Sequence, residues 1–404
     1  MRKTLFVLLF ILTGSIAVHA GGYQVRLQGA RQTGMGLTGV SLGSGASDIF
    51  YNPGGLGFLN KKFEFTAGVN AIMARIHFRS LESNYHAETD NPISPPLFIY
   101  GGGMITDKLA VGLGIYTPYG SKAVWPDDWK GRNLIQNIGL KAYFIQPTVS
   151  YKITDNLGFG AGFVFVYGEV DLNKGLPYNG DSYAHLSGSA TSFGYNLGLF
   201  YKPMDNLNIG LSYRSRVGVA LEGGDAHFYI PQSLNTTLPE TNQFDAELPL
   251  PANLDFGITY KATDKLTLSA EINWVMWSTY DTLKFTFAEK GELLNSSNPR
   301  LYKDSFIPRL GIEYIVSDKF QVRTGGYYDA SPIPVDNFNP ETVSLNTVGL
   351  TLGITYKPIE QLKIDLSFLQ LMGMEEERSY DPGNFKGIYR SNTSIPGIGI
   401  TYQF

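Results

Sequence analysis

Six short segments of this chain share one plan: a run ending in an apolar or aromatic residue, a tight acidic turn, and a new alternating run. They read MITDKLAVGLG from Met104, YKITDNLGFGAG from Tyr151, YKPMDNLNIGLS from Tyr201, YKATDKLTLSAE from Tyr260, YIVSDKFQVRTG from Tyr314 and YKPIEQLKIDLS from Tyr356. After the fourth turn Leu266, Leu268, Ala270, Ile272 and Trp274 alternate with Thr267, Ser269, Glu271 and Asn273. A period of two makes strands, and short polar turns between such runs make antiparallel hairpins. Long stretches separate one hairpin from the next. Short turns at one end and long loops at the other are the layout of a transmembrane β-barrel.

The two chain ends agree. Arg2 and Lys3, the apolar stretch from Leu5 to Ile16 and the Val18-His19-Ala20 site read as a signal peptide over residues 1–20. Its removal takes the formal net charge from −4 to −6, a mildly acidic surface that argues against nucleic acid as a partner. No later window is apolar throughout, so no membrane helix is expected; barrels need none, because only alternate residues face lipid. The absence of cysteine excludes disulfides and thiol chemistry. At the other end Ile398, Ile400, Tyr402 and Phe404 alternate with Gly399, Thr401 and Gln403. A terminal aromatic on such a strand resembles the signal read by the outer-membrane barrel assembly machinery, which makes that machinery an expected partner through Phe404.

Alternating runs predict an all-β chain of about fourteen strands, bounded to within roughly 2–4 residues. They fall near 62–79, 96–106, 108–117, 140–153, 155–172, 187–203, 206–222, 251–262, 264–285, 304–317, 319–329, 345–357, 360–372 and 393–404. Tyr151, Tyr201, Tyr260, Tyr314 and Tyr356 precede short turns, as an interfacial girdle would; Trp125, Trp129, Trp274 and Trp277 lie towards the other end. Alternation turns Glu64, Arg214, Arg216, Asp255, Glu271, Arg309, Glu313, Arg323, Lys363 and Asp365 inward. Both signs are present, which suits a lining of ion pairs better than a catalytic centre.

Residues 21–60 do not alternate and are rich in glycine. Such a segment is too flexible to fold alone, whereas a lumen bounded by about fourteen strands is wider than side chains can fill. It is expected to be an N-terminal plug, or hatch, inside a barrel formed by 61–404. Gly34-Met35-Gly36 is no phosphate cradle, since neither the lysine nor the βαβ context of one is present.

At these residues the chain resembles the FadL family, outer-membrane channels for long-chain fatty acids and other hydrophobic compounds. The resemblance rests on GARQTGMG at Gly29–Gly36 and on Ser47 to Leu56 (SDIFYNPGGL). It continues in IYTPYGS at 115–121, LPLPANLDFGITY at 248–260, NWVMWSTYDTL at 273–283 and GGYYDASPIPVD at 325–336. It implies a monomeric fourteen-stranded barrel with a hatch, in the outer membrane of a Gram-negative bacterium. Cargo would be caught by outer loops, pass to a greasy lumen pocket, and leave sideways into membrane lipid through a gap made by an inward-kinked strand. The Asn-Pro-Ala turn of the hatch, which packs near that kink in the family, is Asn52-Pro53-Gly54 here.

Burying one methylene is worth about 0.8 kcal/mol, so an apolar pocket can extract a fatty acid from water, and a side exit avoids returning it. Arg214, Arg216, Arg309, Arg323 and Lys363 are the candidates for a carboxylate. Phe228, Tyr229, Ile230, Leu234 and Leu238, with Leu176, Pro177 and Tyr178, are the candidates for outer-loop capture. A general porin would need an open lumen, which a forty-residue plug opposes; a purely structural barrel gives the hatch no purpose. The mature histidines His77, His86, His185 and His227 are scattered, and Asp181, His185 and Ser187 in one region make no triad without geometry. No enzyme activity, metal or cofactor is expected.

Overall fold

The computed structural model describes residues 22–178, 182–231 and 238–404. The signal peptide and Asp181 lie outside the described residues, and so does Leu234.

Twenty antiparallel ladder segments form one sheet. They are β1 (Phe63–Asn70), β2 (Met73–Arg79), β3 (His86–Glu88), β4 (Leu97–Met104), β5 (Leu109–Val124), β6 (Asn137–Thr154) and β7 (Leu157–Gly175). Next come β8 (Tyr183–Met204), β9 (Leu207–Arg214), β10 (Val217–Tyr229), β11 (Thr241–Leu250), β12 (Asn253–Lys261) and β13 (Leu266–Val275). Last are β14 (Thr282–Phe287), β15 (Ser296–Pro299), β16 (Ser305–Ile315), β17 (Phe320–Asp329), β18 (Thr347–Ile359), β19 (Leu362–Tyr380) and β20 (Phe385–Gln403). Joining β1 to β2, β9 to β10 and β11 to β12, and setting aside β3, β14 and β15 in the long loops, leaves fourteen wall strands. The wall closes where β1 pairs β20, from Glu64↔Gln403 to Asn70↔Gly397. Closure leaves no free end strand, and where neighbouring strands pair the backbone crosses lipid hydrogen-bonded.

Alternation sets which face is which. In β16, Ser305, Ile307, Arg309, Gly311 and Glu313 are buried, while Phe306, Pro308, Leu310, Ile312 and Tyr314 stand outside. The short turns are tight, as in Ala262 N to Leu266 O at 2.8 Å and Val316 N to Phe320 O at 3.0 Å. Tyr151, Tyr201, Tyr260, Tyr314 and Tyr356 are exposed just before such turns and make the periplasmic girdle. The outer belt differs from expectation. Trp125 and Trp129 stack at 4.2 Å and are buried, as is Trp277, so of the four only Trp274, stacked on Phe306 at 5.6 Å, joins outward Phe163, Phe193 and Tyr195 in the belt.

Strands run past their expected outer ends. β5 continues to Val124 through Thr117-Pro118, β19 reaches Tyr380, and the 223–250 stretch is largely an extension of the β10–β11 hairpin. Above the lipid the outer face has no reason to be apolar, so the signal that marks a strand lapses there. Arg216 is the one inward assignment that inverts. The wall strand breaks at Ser215-Arg216, the alternation shifts, and the Arg216 side chain is exposed and 3.3 Å from Glu247.

Residues 22–59 fill the lumen with α1 (Ala30–Gly34), α2 (Asp48–Tyr51) and a 3-10 helix (Pro53–Phe58). Gly36 shows why glycine is needed: its φ is +67°, and a Cβ there would sit 2.2 Å from the Leu310 carbonyl oxygen.

Candidate functional site

The hatch is pinned by wall carboxylates. Glu271 Oε2 accepts the amides of Gly39 and Val40 at 2.7 and 3.0 Å, and Oε1 lies 2.5 Å from Arg26, which also pairs Asp255 at 2.9 Å. Glu313 holds Arg31 at 2.8 Å and Arg323 at 2.6 Å, while Arg323 reaches Asp365 at 3.0 Å. Glu64 accepts the Ala46 amide at 2.7 Å. Charges buried this deeply persist only when paired in this way.

Asn52-Pro53-Gly54 sits in that packing, against β7, β8 and β9. Asn52 Nδ2 donates to the carbonyls of Val40 (2.7 Å) and Leu199 (2.9 Å), and its Oδ1 caps the 3-10 helix by accepting from Gly54 N at 3.0 Å. A Cβ on Gly54 would lie 2.8 Å from the Gly198 oxygen and 2.9 Å from the Gly158 oxygen. Glycine is therefore what allows the hatch to touch the wall backbone here.

The kinked strand is β5, and a different hatch segment meets it. The β4–β5 ladder ends at Phe98↔Tyr116, and Thr117-Pro118 are skipped in the β5–β6 ladder between Tyr116↔Phe144 and Tyr119↔Ala142. Beyond the kink β5 pairs with the start of the hatch: Val25 N donates to Pro118 O at 2.7 Å and Gly120 N to Tyr23 O at 3.0 Å. The preceding stretch carries Pro92, Pro95 and Pro96, which have no amide to extend a ladder. It rejoins β5 only at the top, through Asp90 N to Val124 O at 2.9 Å. No ladder pair joins 92–96 to 118–123 among the described residues, and this unpaired stretch of wall, met from inside by Tyr23–Val25, is the β5 window.

Inside that window is an apolar cavity of about 90 Å³. Its walls include Leu140, Ala142, Leu172, Val219, Leu221 and Phe244, and Tyr23, Tyr119 and Gly120 border both cavity and window. None of these residues is singled out by the sequence: Leu140, Ala142, Leu172, Val219 and Leu221 lie in expected strands, and Phe244, Tyr119 and Gly120 lie beyond them. The usable signal was the cluster of prolines opposite Thr117-Pro118.

None of the four arginine candidates lines this cavity. Arg214 is a strut: it donates to the Tyr116 hydroxyl and to the Phe50 carbonyl, both at 2.8 Å. Arg323 is held by its two carboxylates. Arg309 is buried over the Tyr327 ring, 4.9 Å from its centroid, and donates to Asn273 at 3.4 Å. Its Nε and Nη1 have no hydrogen-bond partner among the described residues. Lys363 borders a separate polar cavity of about 150 Å³ with Arg31, Lys357 and Asp365. Of the capture candidates, Phe228 is buried with its ring centroid 6.0 Å from that of Phe287, and Leu238 is buried too. Leu176 and Ile230 are half-buried against the core, and Tyr178 is half-buried. These side chains roof the lumen more than they face solvent. His185 pairs with Asp171 at 3.0 Å on the exposed surface.

Comparison with known proteins gives the same picture. The chain is similar to a crystal structure of a Pseudomonas aeruginosa FadL homologue, with a TM-score of 0.85 at 20% identity over 95% of this chain and 100% of that one. It is also similar to the Ralstonia pickettii toluene transporter TbuX, with a TM-score of 0.74 at 19% identity over 93% and 98%. In sequence it is 21% identical to the long-chain fatty acid transport protein of Escherichia coli (strain K12) over the whole of both chains. It is 24% identical to outer membrane protein P1 of Haemophilus influenzae over 90% of this chain and 88% of that one. Residues 11–404 match the family described as outer membrane protein transport protein (OMPP1/FadL/TodX). With the closed barrel, the lumen hatch and the apolar cavity, this chain belongs to that family of transport channels for hydrophobic compounds in the Gram-negative outer membrane, which are not enzymes.

Proposed function

We propose that this channel takes up long-chain fatty acids or similarly hydrophobic compounds, which enter the lumen from the loops, occupy the apolar cavity and leave sideways through the β5 window. The observation that carries this reading is the shared border of cavity and window at Tyr23, Tyr119 and Gly120. Cargo at that border reaches lipid without meeting the polar half of the lumen, where every methylene returned to water would cost about 0.8 kcal/mol. The hatch closes the direct aqueous route through its carboxylate anchors. The cavity's lining is mostly apolar and suits a chain or ring; among the described residues that border it Lys141 is the one cation, beside Glu169, Glu247 and Glu341.

At about 90 Å³ the cavity is smaller than the roughly 150 Å³ that holds a benzene ring. Loading it requires its walls to move. The test is uptake of labelled oleate, and separately of toluene, by a transport-deficient host carrying the wild type or Ala142→Phe. Ala142 is buried and borders the cavity, so the added ring occupies the space cargo needs. Uptake should fall severalfold while the barrel keeps its heat-modifiable gel migration. Undiminished uptake of both compounds by Ala142→Phe would refute the cavity route.

A further inference from the structure

The wall has a second discontinuity, away from the β5 window. β8 pairs with β9 up to Asn196↔Arg214, and Ser215 N still donates to Tyr195 O at 2.9 Å. The next β8 partner is Asp225 of β10, opposite Ser187. Between them, residues 188–194 of β8 face 216–224 with no ladder pair among the described residues; Ser192 Oγ to Gly218 O at 2.7 Å is a side-chain bridge across the gap. The inward positions of β8 along this seam are Gly188, Ala190, Ser192 and Gly194, all small. Val217 and Leu221 lie over two of them: a Cβ on Gly194 would come 2.7 Å from Val217 Cγ2, and one on Gly188 2.6 Å from Leu221 Cδ1. Val219 reaches over β8 to Gly168 of β7, 2.9 Å from where a Cβ would be. The middle of β10 has left the wall and leans into the lumen.

Its partner strand leaves with it. β10 and β11 are bonded from Val217↔Leu250 to His227↔Thr241, and both wall strands break at one level, at Ser215-Arg216 and at Pro251-Ala252. On the far side β11 holds only three ladder pairs, Phe244↔Phe287 to Ala246↔Phe285. The unpaired middle of β10 is thus bounded at both ends, by the breaks at its base and by the β8 pairs from Asp225↔Ser187 to Tyr229↔Tyr183 above it. The inner face of the hairpin supplies Val219, Leu221, Phe244 and Leu248 to the apolar cavity.

We propose that the β10–β11 hairpin is a second lateral gate, through which cargo already dissolved in the outer leaflet enters the cavity between β8 and β10. The inference rests on the cavity carrying hydrophobic cargo. The height of the seam argues for the leaflet as source. From girdle Tyr201 to Phe193 is eight residues, about 26 Å of strand and roughly 20 Å of depth at a tilt near 40°. Phe193 and Tyr195 are well exposed there, beside Phe163, and polar Thr191 and Ser189 follow on the outer face. The seam therefore opens at the outer aromatic belt, where an amphiphile keeps its polar end wet and its chain in lipid. Displacement of the unpaired middle of β10 away from the inner faces of β7 and β8, between its paired ends, both parts the seam and enlarges a cavity too small for cargo at rest. Small residues along β8 leave the parting surfaces without interlocking side chains.

The chain has no cysteine, so a staple across the seam is unambiguous. Gly194→Cys with Val217→Cys, and independently Gly188→Cys with Leu221→Cys, place sulfurs at contacts short enough for a disulfide. Purified protein in proteoliposomes would receive diazirine-tagged palmitate dissolved in the bilayer, and a timed flash would label the cavity, read on peptides containing Leu172 and Phe244. For each staple the oxidised form should label at no more than about half the rate of the same protein reduced, since one of two routes is closed. Equal rates in oxidised and reduced protein would overturn the second gate and leave the uptake reading standing. Failure of wild-type and reduced protein to label the cavity at all would refute the cargo reading, and the gate with it.

Discussion

Replacing Glu271 by leucine removes one carboxylate that three hatch groups share. The side chain is buried, with Oε2 on the Gly39 and Val40 amides and Oε1 on Arg26. Two buried amides left without an acceptor cost about 1–3 kcal/mol each. Arg26 keeps Asp255 at 2.9 Å, so its loss is partial and well below the roughly 3–5 kcal/mol of a fully broken buried pair. The sum is about 3–6 kcal/mol against hatch docking, a shift of roughly 10²–10⁴ in local opening at 1.4 kcal/mol per decade. Glu271→Gln keeps one acceptor oxygen for the two amides but turns an NH2 donor toward Arg26, so its cost falls on the Arg26 side and about 1–3 kcal/mol is expected. Hydrogen exchange of hatch peptides in nanodiscs reads this directly: Gly39 and Val40 should lose protection in Glu271→Leu far more than in Glu271→Gln. Planar-bilayer recordings should show brief openings only in the leucine variant. Wild-type protection of residues 36–42 in Glu271→Leu would sink the argument that this carboxylate holds the plug.

Two further predictions concern the hatch itself. Gly54→Ala should loosen the plug by about 1–3 kcal/mol through overpacking against the Gly158 and Gly198 carbonyls, seen as faster exchange of residues 52–58 with the barrel intact; unchanged exchange would mean the hatch can shift without cost. Asp48 is buried beside Glu64, and burial pushes its carboxyl up to about 7, against the opposing amides of Ser44 and Gly45 and the more distant Arg31. Because the folded value lies above the unfolded one, the contribution of Asp48 to hatch stability is full below about pH 4 and is lost, by up to about 4 kcal/mol, as pH climbs through 7. Hatch exchange at a series of pH values, corrected for intrinsic rates, should show that loss in the wild type and a flat profile in Asp48→Asn; matching profiles would place the pH dependence elsewhere.

The division between what sequence made legible and what it hid follows the membrane. Within the lipid band the outer face must be apolar and the lumen face need not be, so β16 alternates for its whole length and its boundaries were nearly right. The stretch 22–59 separates from the wall for a related reason: a glycine-rich run with no period has no strand to offer. Outside the band both constraints lapse. The outer part of β19, where Glu375 and Glu377 are exposed and Arg378 is buried, carries charge on both faces and reads as loop although it is strand. Arg216 and Arg214 are two residues apart and would share a face in any unbroken strand; the break at Ser215-Arg216 puts one in the lumen and the other on the surface.

Those breaks are also where the proposed route runs. A barrel wall that keeps its period is sealed by its own hydrogen bonds, and a hydrophobic molecule can cross it only where pairing fails. Pairing fails here at Thr117-Pro118 against Pro92, Pro95 and Pro96, and again at Ser215-Arg216 with Pro251-Ala252. The two places meet through the hatch: Tyr23 donates to the Pro249 carbonyl at 2.5 Å and Tyr119 to the Pro251 carbonyl at 3.0 Å. The tyrosines that border the β5 window thus hold the base of the β10–β11 hairpin. Movement of either wall segment must strain or break those two bonds, so the apolar cavity between them is the natural place for cargo to exert force on both. The departures from strand periodicity, which made the sequence hardest to read, are the positions that the proposed route of a greasy molecule uses.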